Sequence, residues 1–192
     1  MLIGIAGKTG AGKNAAASIL ERWGWRTLDL DETAHWVLDE ASELIEKEFG
    51  PGLVNDEGKV KRDELGARVF GQPQLLHKLE ALSYPLIEKK TLEWYEEDAT
   101  SPAAIHAVNL HKTALPKHCK AILWIDADWR IRRKRVILRD GKTWRQLKGR
   151  FKVQHGLNPK LFPANAEIYR IRNTGNLNTL EQKLAETLRR LE

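Results

Sequence analysis

Short apolar runs alternate with helical patterns along the chain, in the order typical of α/β proteins. The runs predict five strands, at residues 2–6, 26–30, 103–110, 121–126 and 168–172. Each run precedes or follows a helical pattern, as the crossover connections of a parallel sheet require. The pattern therefore predicts an α/β fold with a doubly wound sheet of five parallel strands and flanking helices.

Apolar side chains at helical spacing predict the helices beside this sheet. The helix after the first strand ends at Gly24, and its buried face consists of Ala16, Ile19, Leu20 and Trp23. Two basic helices are expected at 129–139 and 143–154. Asn178 is predicted to cap the last helix, whose core-facing side chains are Leu180, Leu184, Leu188 and Leu191.

A long and mostly helical stretch, residues 32–98, separates the second and third strands. It far exceeds the roughly dozen residues that a minimal crossover needs. Such an excess usually forms a substrate-binding lobe, and a purely structural helical bundle is the alternative. A turn is predicted at 55–58, and the segment 83–85 should interrupt the helical run because proline disfavours helix in the preceding residue.

The composition limits the classes of protein to which this chain could belong. A chain of 192 residues with 42% hydrophobic and 30% charged residues suits one globular domain with a sizeable core. The single cysteine, Cys119, excludes an internal disulfide and a cysteine-rich zinc site, and its apolar neighbours predict a buried structural thiol. No run approaches the roughly 18 apolar residues of a membrane helix, so we expect a cytoplasmic protein.

The positive charge is concentrated in one segment. The net charge is +6, and residues 129–152 hold 11 Lys or Arg against the single acid Asp140. Such a block can form a nucleic-acid surface, a solvated helix face, or an arm that closes over phosphates. Arginine suits bidentate phosphate contacts, which favours the third interpretation once a phosphate-binding motif is present.

That motif follows the first strand directly. Residues 7–14 match the P-loop pattern GxxxxGK[ST] at every fixed position but the last; they are Gly7, Lys8, Thr9, Gly10, Ala11, Gly12, Lys13 and Asn14. The glycines permit positive φ, so that main-chain N–H groups turn inward around phosphate oxygens at a helix N-terminus. Lys13 would reach the β- and γ-phosphates of a nucleoside triphosphate. A glycine-rich turn without nucleotide is the alternative.

Asn14 stands where the motif has the Ser or Thr hydroxyl that binds Mg²⁺. An amide oxygen is an acceptable ligand for a hard cation. Asn14 is therefore the candidate metal ligand, and a metal held by one protein ligand fewer is the other possibility.

Several segments in order resemble the dephospho-CoA kinase family over most of the chain. They are 7–13, Asp29-Leu30-Asp31, Gly58 with Arg62, 68–70, 79–85, Lys134-Arg135, Arg139-Asp140 and Asn173-Thr174-Gly175. The resemblance implies a P-loop kinase that uses ATP and Mg²⁺ to phosphorylate the ribose 3′-hydroxyl of dephospho-CoA. It also implies an acceptor-binding lobe within 32–98 and a basic lid at about 140–163.

The resemblance assigns roles to individual residues. Asp31 would accept the hydroxyl proton, and Asp29 would bind the acceptor or hold metal-bound water or the P-loop. Arg62 and Tyr84 would also bind the acceptor. The nucleotide contacts implied are Arg135 and Arg139 on phosphates, with Arg139 also assigned to catalysis beside Lys13, and Asn173 and Gly175 beside the adenine.

Departures from the family pattern keep other functions open. Besides Asn14, these are Tyr84 in place of the family's His, the loop 109–113, and Gln154 with Leu157 where the lid has an arginine. A kinase of another small hydroxylated metabolite or nucleoside would use the same site. A nucleotide-binding protein that has lost phosphotransfer is the other alternative, and Asn14 and the missing lid arginine are the features that favour it. Nucleic-acid binding would depend on the basic block with Trp144 and Phe151.

Overall fold

The computed structural model describes residues 1–191. Its five strands are β1 (Leu2–Ala6), β2 (Arg26–Asp29), β3 (Ala103–Ala107), β4 (Ala121–Asp126) and β5 (Ile168–Arg172). They form one sheet in the order β2-β3-β1-β4-β5, and the pairs β1–β3, β1–β4 and β4–β5 run parallel. The predicted doubly wound α/β sheet is confirmed.

Three strands keep their predicted bounds, and two are shorter than predicted. Leu30 is the buried first residue of a helix, and Leu110 is buried in a short 3₁₀ helix, Leu110–Lys112. Both side chains are apolar because they contribute to the core from the turns that follow β2 and β3. Sequence pattern alone assigned them to the strands, since a buried apolar residue has the same signature in either setting.

Helices α1 (Lys13–Arg22) and α8 (Leu177–Leu188) cover the sheet and complete its core. Ile3, Ile5 and Leu123 are fully buried, as expected for parallel strands covered on both faces. The predicted burial of Trp23 is wrong, because Trp23 is the C-cap of α1 and remains 37% exposed. The chain then turns through Gly24 at φ +83°.

The predicted cap of α8 is also wrong. Asn176 caps this helix, with its side-chain oxygen accepting a hydrogen bond from the Thr179 N–H at 3.0 Å. Asn178 is the second helical residue, two positions after the cap, and lies inside the first turn. The predicted leucine face is confirmed, since Leu180, Leu184, Leu188 and Leu191 are all buried.

The basic segment forms the two predicted helices, α6 (Trp129–Asp140) and α7 (Trp144–Val153). Gly141 ends α6 in the left-handed conformation, and Thr143 and Gln146 form a capping box at the start of α7. Both helices belong to the compact unit that contains the sheet, which spans Met1–Leu28 and Asp98–Glu192.

A second compact unit spans Asp29–Glu97, the region for which a lobe is predicted. Its helices are α2 (Leu30–Glu40), α3 (Ser42–Phe49), α4 (Arg62–Val69) and α5 (Pro73–Glu96). The unit has its own apolar core, formed by Ile45, Phe49, Leu53, Val60, Leu65 and Val69. Within residues 1–191, no helix combines the length and apolarity needed to cross a membrane.

Helix α5 continues through Pro85, so the predicted interruption at 83–85 is wrong. A proline inside a helix removes one hydrogen bond, at a cost of about 3 kcal/mol. Ser83, Ile87 and Thr91 are buried on the same helix, and this packing offsets the loss. The turn predicted at 55–58 is confirmed, with Gly58 at φ +77° and the Asn55 N–H bonded to the Lys59 carbonyl.

Candidate active site

The P-loop lies between β1 and α1, as the motif predicts. Its glycines adopt the positive φ values that turn main-chain N–H groups inward: +153° at Gly7, +78° at Gly10 and +108° at Gly12. The main-chain amides at the start of α1 carry the positive end of its dipole. The loop therefore has the backbone conformation that a phosphate site requires.

Neighbouring groups also exclude side chains from these three positions. A Cβ on Gly7 would lie 2.3 Å from the Ile125 carbonyl oxygen, and one on Gly12 would lie 2.2 Å from Nδ2 of Asn173. On Gly10 it would lie 2.6 Å from the Arg132 carbonyl oxygen. The glycines are thus required by the close packing of the loop against β4, α6 and the end of β5.

Lys13 and Asn14 open α1 beside this loop. Lys13 is buried in the first turn, whereas Asn14 is exposed. Mg²⁺ bound with a nucleotide keeps phosphate and water oxygens as ligands and needs few from the protein. A single exposed amide oxygen at Asn14 fits that requirement.

Arg135 and Asn173 lie at the back of the P-loop. Nδ2 of Asn173 donates to the Ala11 carbonyl at 2.8 Å, and Nη1 of Arg135 donates to the same oxygen at 3.3 Å. Nη2 of Arg135 also donates to Oδ1 of Asn173 at 3.4 Å. Two residues assigned to the nucleotide by resemblance therefore bind the loop that would hold it.

Arg132 was missed by sequence reasoning, although it is the most buried arginine of the basic block. It is 8% exposed and donates to the Ala127 carbonyl at 3.1 Å and the Thr9 carbonyl at 3.3 Å. Burial lowers its pKa, and the charge of Asp126 opposes that effect. Arg132 and Arg135 are three residues apart, a spacing that places both on the face of α6 toward the P-loop.

Arg139 is in a different environment from Arg135. It is 57% exposed, and its Nε lies 2.6 Å from Oδ1 of Asp140. Arg150 contacts the other oxygen of Asp140 at 3.1 Å, and the two arginines hold the pKa of this carboxyl below its usual range. The structure thus places Arg139 in an exposed ion-pair network with Asp140.

The remaining predicted nucleotide contacts are Lys8 and Thr9 in the P-loop and Gly175 before α8. Nζ of Lys8 donates to the His155 carbonyl at 3.2 Å, and the Thr9 N–H donates to Oε1 of Gln154 at 2.8 Å. Burial lowers the pKa of Lys8, and the nearby charge of Arg132 lowers it further. Gly175 lies in the loop before α8, exposed to solvent.

The aromatic side chains of the basic block contact one another and its arginines. The Trp144 ring packs edge-on against Phe151, with centroids 5.0 Å apart, and the Arg133 guanidinium lies 4.7 Å from the Trp144 ring. The Arg132 guanidinium lies 5.1 Å from the Phe151 ring. Packing between α6 and α7 therefore accounts for Trp144 and Phe151 without a nucleic acid.

In the unit spanning residues 29–97, Asp29 is the N-cap of α2. Its carboxylate accepts a hydrogen bond from the Asp31 N–H at 2.9 Å, and its carbonyl accepts one from the Thr33 hydroxyl at 3.0 Å. Asp31 is exposed in the first turn of the same helix, where the dipole favours a negative charge. The cap leaves the Asp31 carboxylate at the surface.

Tyr84 and Arg62 also bind partners within this unit. The Tyr84 hydroxyl donates to Oε1 of Glu80 at 3.2 Å, and burial raises the pKa of Tyr84, helped by the charges of Glu80 and Asp31. Arg62 forms an ion pair with Asp39. The negative charge of Asp31 thus contributes to the raised pKa of Tyr84, and Arg62 is paired with the Asp39 carboxylate.

Comparison with known proteins agrees with this geometry. The family model described as dephospho-CoA kinase matches residues 1–178. A dephospho-CoA kinase from Wolinella succinogenes is 31% identical, covering 98% of this chain and 94% of the relative. Another from Deinococcus radiodurans is 32% identical, covering 99% of this chain and 92% of the relative.

Among solved structures, a Thermus thermophilus protein matches with a TM-score of 0.84 at 28% identity. The alignment covers 100% of this chain and 98% of that one. The sequence matches extend over the sheet, the P-loop and the intervening helical unit. The chain therefore belongs to the dephospho-CoA kinase family.

Proposed function

We propose that this protein transfers the γ-phosphoryl group of ATP to the ribose 3′-hydroxyl of dephospho-CoA, giving CoA and ADP. The observation that carries the proposal is the P-loop, whose three positive-φ glycines are required by both conformation and close packing. Family membership supports dephospho-CoA as the acceptor, because a fold alone does not determine a substrate.

Main-chain and side-chain groups of the P-loop would bind the phosphates in different ways. Main-chain N–H groups of residues 10 and 12–14 would donate to the phosphate oxygens, while the Ala11 N–H is bonded to the Lys8 carbonyl at 3.0 Å. Lys13 would neutralise charge on the β- and γ-phosphates. Arg135 and Asn173 hold the Ala11 carbonyl, which keeps the loop in its binding conformation. Preorganised donors of this kind need little rearrangement when the transferring group gains charge.

Asp31 is the proposed base for the acceptor. Its carboxylate would accept the proton of the ribose hydroxyl as the hydroxyl oxygen bonds to the γ-phosphorus and the bond to the ADP oxygen breaks. Mg²⁺ bound with ATP would neutralise phosphate charge, and Oδ1 of Asn14, in the first turn of α1, is the proposed protein ligand for it.

The proposal is tested by ADP release with ATP and Mg²⁺, using dephospho-CoA beside a panel of nucleosides and small hydroxylated metabolites. We expect turnover with dephospho-CoA and a product with the mass of CoA, phosphorylated at the 3′ position by ³¹P NMR. Faster turnover with another acceptor would identify a different kinase. If ADP binds but no acceptor is phosphorylated, the protein binds nucleotide without acting as a kinase.

Lys13→Ala tests whether nucleotide binding depends on the P-loop. This variant should lose most of the melting-temperature increase that ATP or ADP gives the wild type, because the ammonium group on the phosphates is removed. Lys117→Ala is the matched control, since Lys117 is exposed on the 3₁₀ helix Leu115–Lys117. If millimolar nucleotide leaves the melting curves of wild type and both variants unchanged, the P-loop does not bind nucleotide.

A further inference from the structure

Gln154, immediately after α7, holds Thr9 of the P-loop with both ends of its carboxamide. The Thr9 N–H donates to Oε1 at 2.8 Å, and Nε2 donates to the Thr9 hydroxyl at 2.8 Å. The next residue, His155, accepts a hydrogen bond from Lys8 through its carbonyl. Two consecutive residues after α7 thus bind two consecutive residues of the P-loop.

All the polar groups of Thr9 are engaged by these neighbours. Its carbonyl accepts from Nη1 of Arg132, in addition to the two contacts with Gln154. Thr9 is 7% exposed, so a partner removed by mutation would leave a buried donor or acceptor unsatisfied. Thr9 is therefore fixed by α6 and by the end of α7.

The packing of α7 explains how Gln154 reaches this position. Leu147, Phe151 and Gln154 are spaced by four and three residues and lie on one face of the helix. Leu147 is buried, and the Phe151 ring packs against Arg132, which itself binds the Thr9 carbonyl. One face of α7 therefore contacts the P-loop both directly and through Arg132.

We propose that Gln154 is a positioning residue for nucleotide binding. Thr9 precedes the amides of residues 10–14, and fixing it holds the first half of the loop in place before ATP arrives. A loop that is already ordered loses less conformational entropy on binding, which raises affinity. The inference depends on the proposed function only in that this loop binds ATP; it does not depend on the acceptor.

Gln154→Met tests the hydrogen bonds, because methionine has a similar length and helix propensity but no amide group. We expect about a tenfold rise in the Kd for ADP by titration calorimetry, equivalent to about 1.4 kcal/mol. The KM for ATP should rise in parallel, while the KM for dephospho-CoA stays unchanged. Gln182→Met, at an exposed position of α8, is the matched control.

A second variant tests the same contact from the P-loop side. Thr9→Val removes the hydroxyl and retains the N–H and the branched shape, so it should raise the Kd for ADP severalfold in the wild-type background. In the Gln154→Met background it should have no further effect, because its partner is already absent. Thr9→Ser keeps the hydroxyl, so its Kd for ADP should lie closer to that of wild type than the Kd of Thr9→Val does.

The outcomes distinguish the inference from the proposed function. Additive effects of Gln154→Met and Thr9→Val, or a Gln154→Met protein that folds and binds ADP like wild type, would overturn the positioning role and leave the kinase proposal intact. If Gln154→Met does not fold, a wild-type Kd in Thr9→Val overturns it instead. A wild-type protein that does not bind ADP would overturn both.

Discussion

The side chain of Asn173 donates a hydrogen bond to the main-chain carbonyl of Ala11 at 2.8 Å, across 162 residues of sequence. Asn173 is buried directly after β5, and its own N–H is bonded to the Asp126 carbonyl at the end of β4. The end of the sheet thus fixes the centre of the P-loop. The amide also fills the space that a Cβ on Gly12 would need, so Gly12 and Asn173 depend on each other.

Asn173→Ala should weaken both folding and nucleotide binding. Losing the amide removes the shorter of the two side-chain hydrogen bonds to the Ala11 carbonyl and leaves the longer contact with Arg135. A buried polar group that loses a partner costs about 1–3 kcal/mol. Urea denaturation would report the free energy of unfolding, and calorimetry the Kd for ADP, which should rise about tenfold.

Asn178→Ala is the control for that experiment, because Asn178 is exposed on α8 and does not cap it. Its stability and ADP affinity should match those of wild type. Equal ADP affinity in Asn173→Ala and Asn178→Ala would show that the P-loop keeps its conformation without the amide.

The sequence predicts the elements of the sheet better than the contacts behind the P-loop. Strands β1 and β4 are recognisable because parallel strands buried on both faces are continuous apolar runs, whereas the edge strand β5 contains two arginines and has only Ile171 buried. Arg132 lies among other basic residues at 130–135, so charge alone does not distinguish it from its exposed neighbours. Its role, and that of Gln154, depends on tertiary packing between segments far apart in sequence, which local patterns do not encode.

Two errors at element boundaries have the same cause. Asn176 and Asn178 are equally good caps by residue type, and the choice depends on where the loop from β5 ends. Pro85 favours a break by its local geometry, but the packing of α5 overrides that preference. Residue type thus limits where a helix can be capped or broken, and tertiary packing determines which of these positions is used.

Asp31 and Asp29 should have separable effects. Asp31→Asn should lower kcat by about 10² with little change in the Kd for ADP, because the amide cannot accept the hydroxyl proton. Asp29→Ala should instead lower the free energy of unfolding by about 1 kcal/mol, because it removes the cap of α2. Steady-state kinetics and urea denaturation of both variants would measure the two effects.

Asp29→Ser is the control for the cap, since serine also accepts a hydrogen bond at this position. It should restore most of the stability lost in Asp29→Ala. Near wild-type turnover in Asp31→Asn would exclude Asp31 as the base.

Cys119 should make stability depend on pH in the alkaline range. Burial raises the pKa of its thiol from 9.0 to about 12, and Sγ lies 3.4 Å from the Leu115 carbonyl oxygen. Above pH 9.0 the unfolded chain releases this proton while the folded chain keeps it, so the free energy of unfolding falls until about pH 12. Below pH 9.0 the thiol contributes no pH dependence.

Cys119→Ser removes this titration and keeps a hydroxyl donor for Leu115. Urea denaturation should therefore show wild type losing about 1 kcal/mol more than Cys119→Ser between roughly pH 8 and pH 10. Parallel pH profiles of the two proteins over that range would mean that the folded-state pKa is not raised.

Asn14 presents an exposed amide at the position where the P-loop motif has a hydroxyl. Asn14→Thr restores that hydroxyl, with a shorter side chain that places its oxygen closer to the loop. We expect the variant to reach half-maximal rate at lower Mg²⁺ and to turn over about tenfold faster, equivalent to about 1.4 kcal/mol of transition-state stabilisation.

Asn14→Ala, which lacks a side-chain oxygen, should need more Mg²⁺ than wild type. Rates across a Mg²⁺ titration at saturating ATP would rank the three proteins. A wild type that outperforms Asn14→Thr at every Mg²⁺ concentration would show that the loop is adapted to the amide and that Asn14 is no defect.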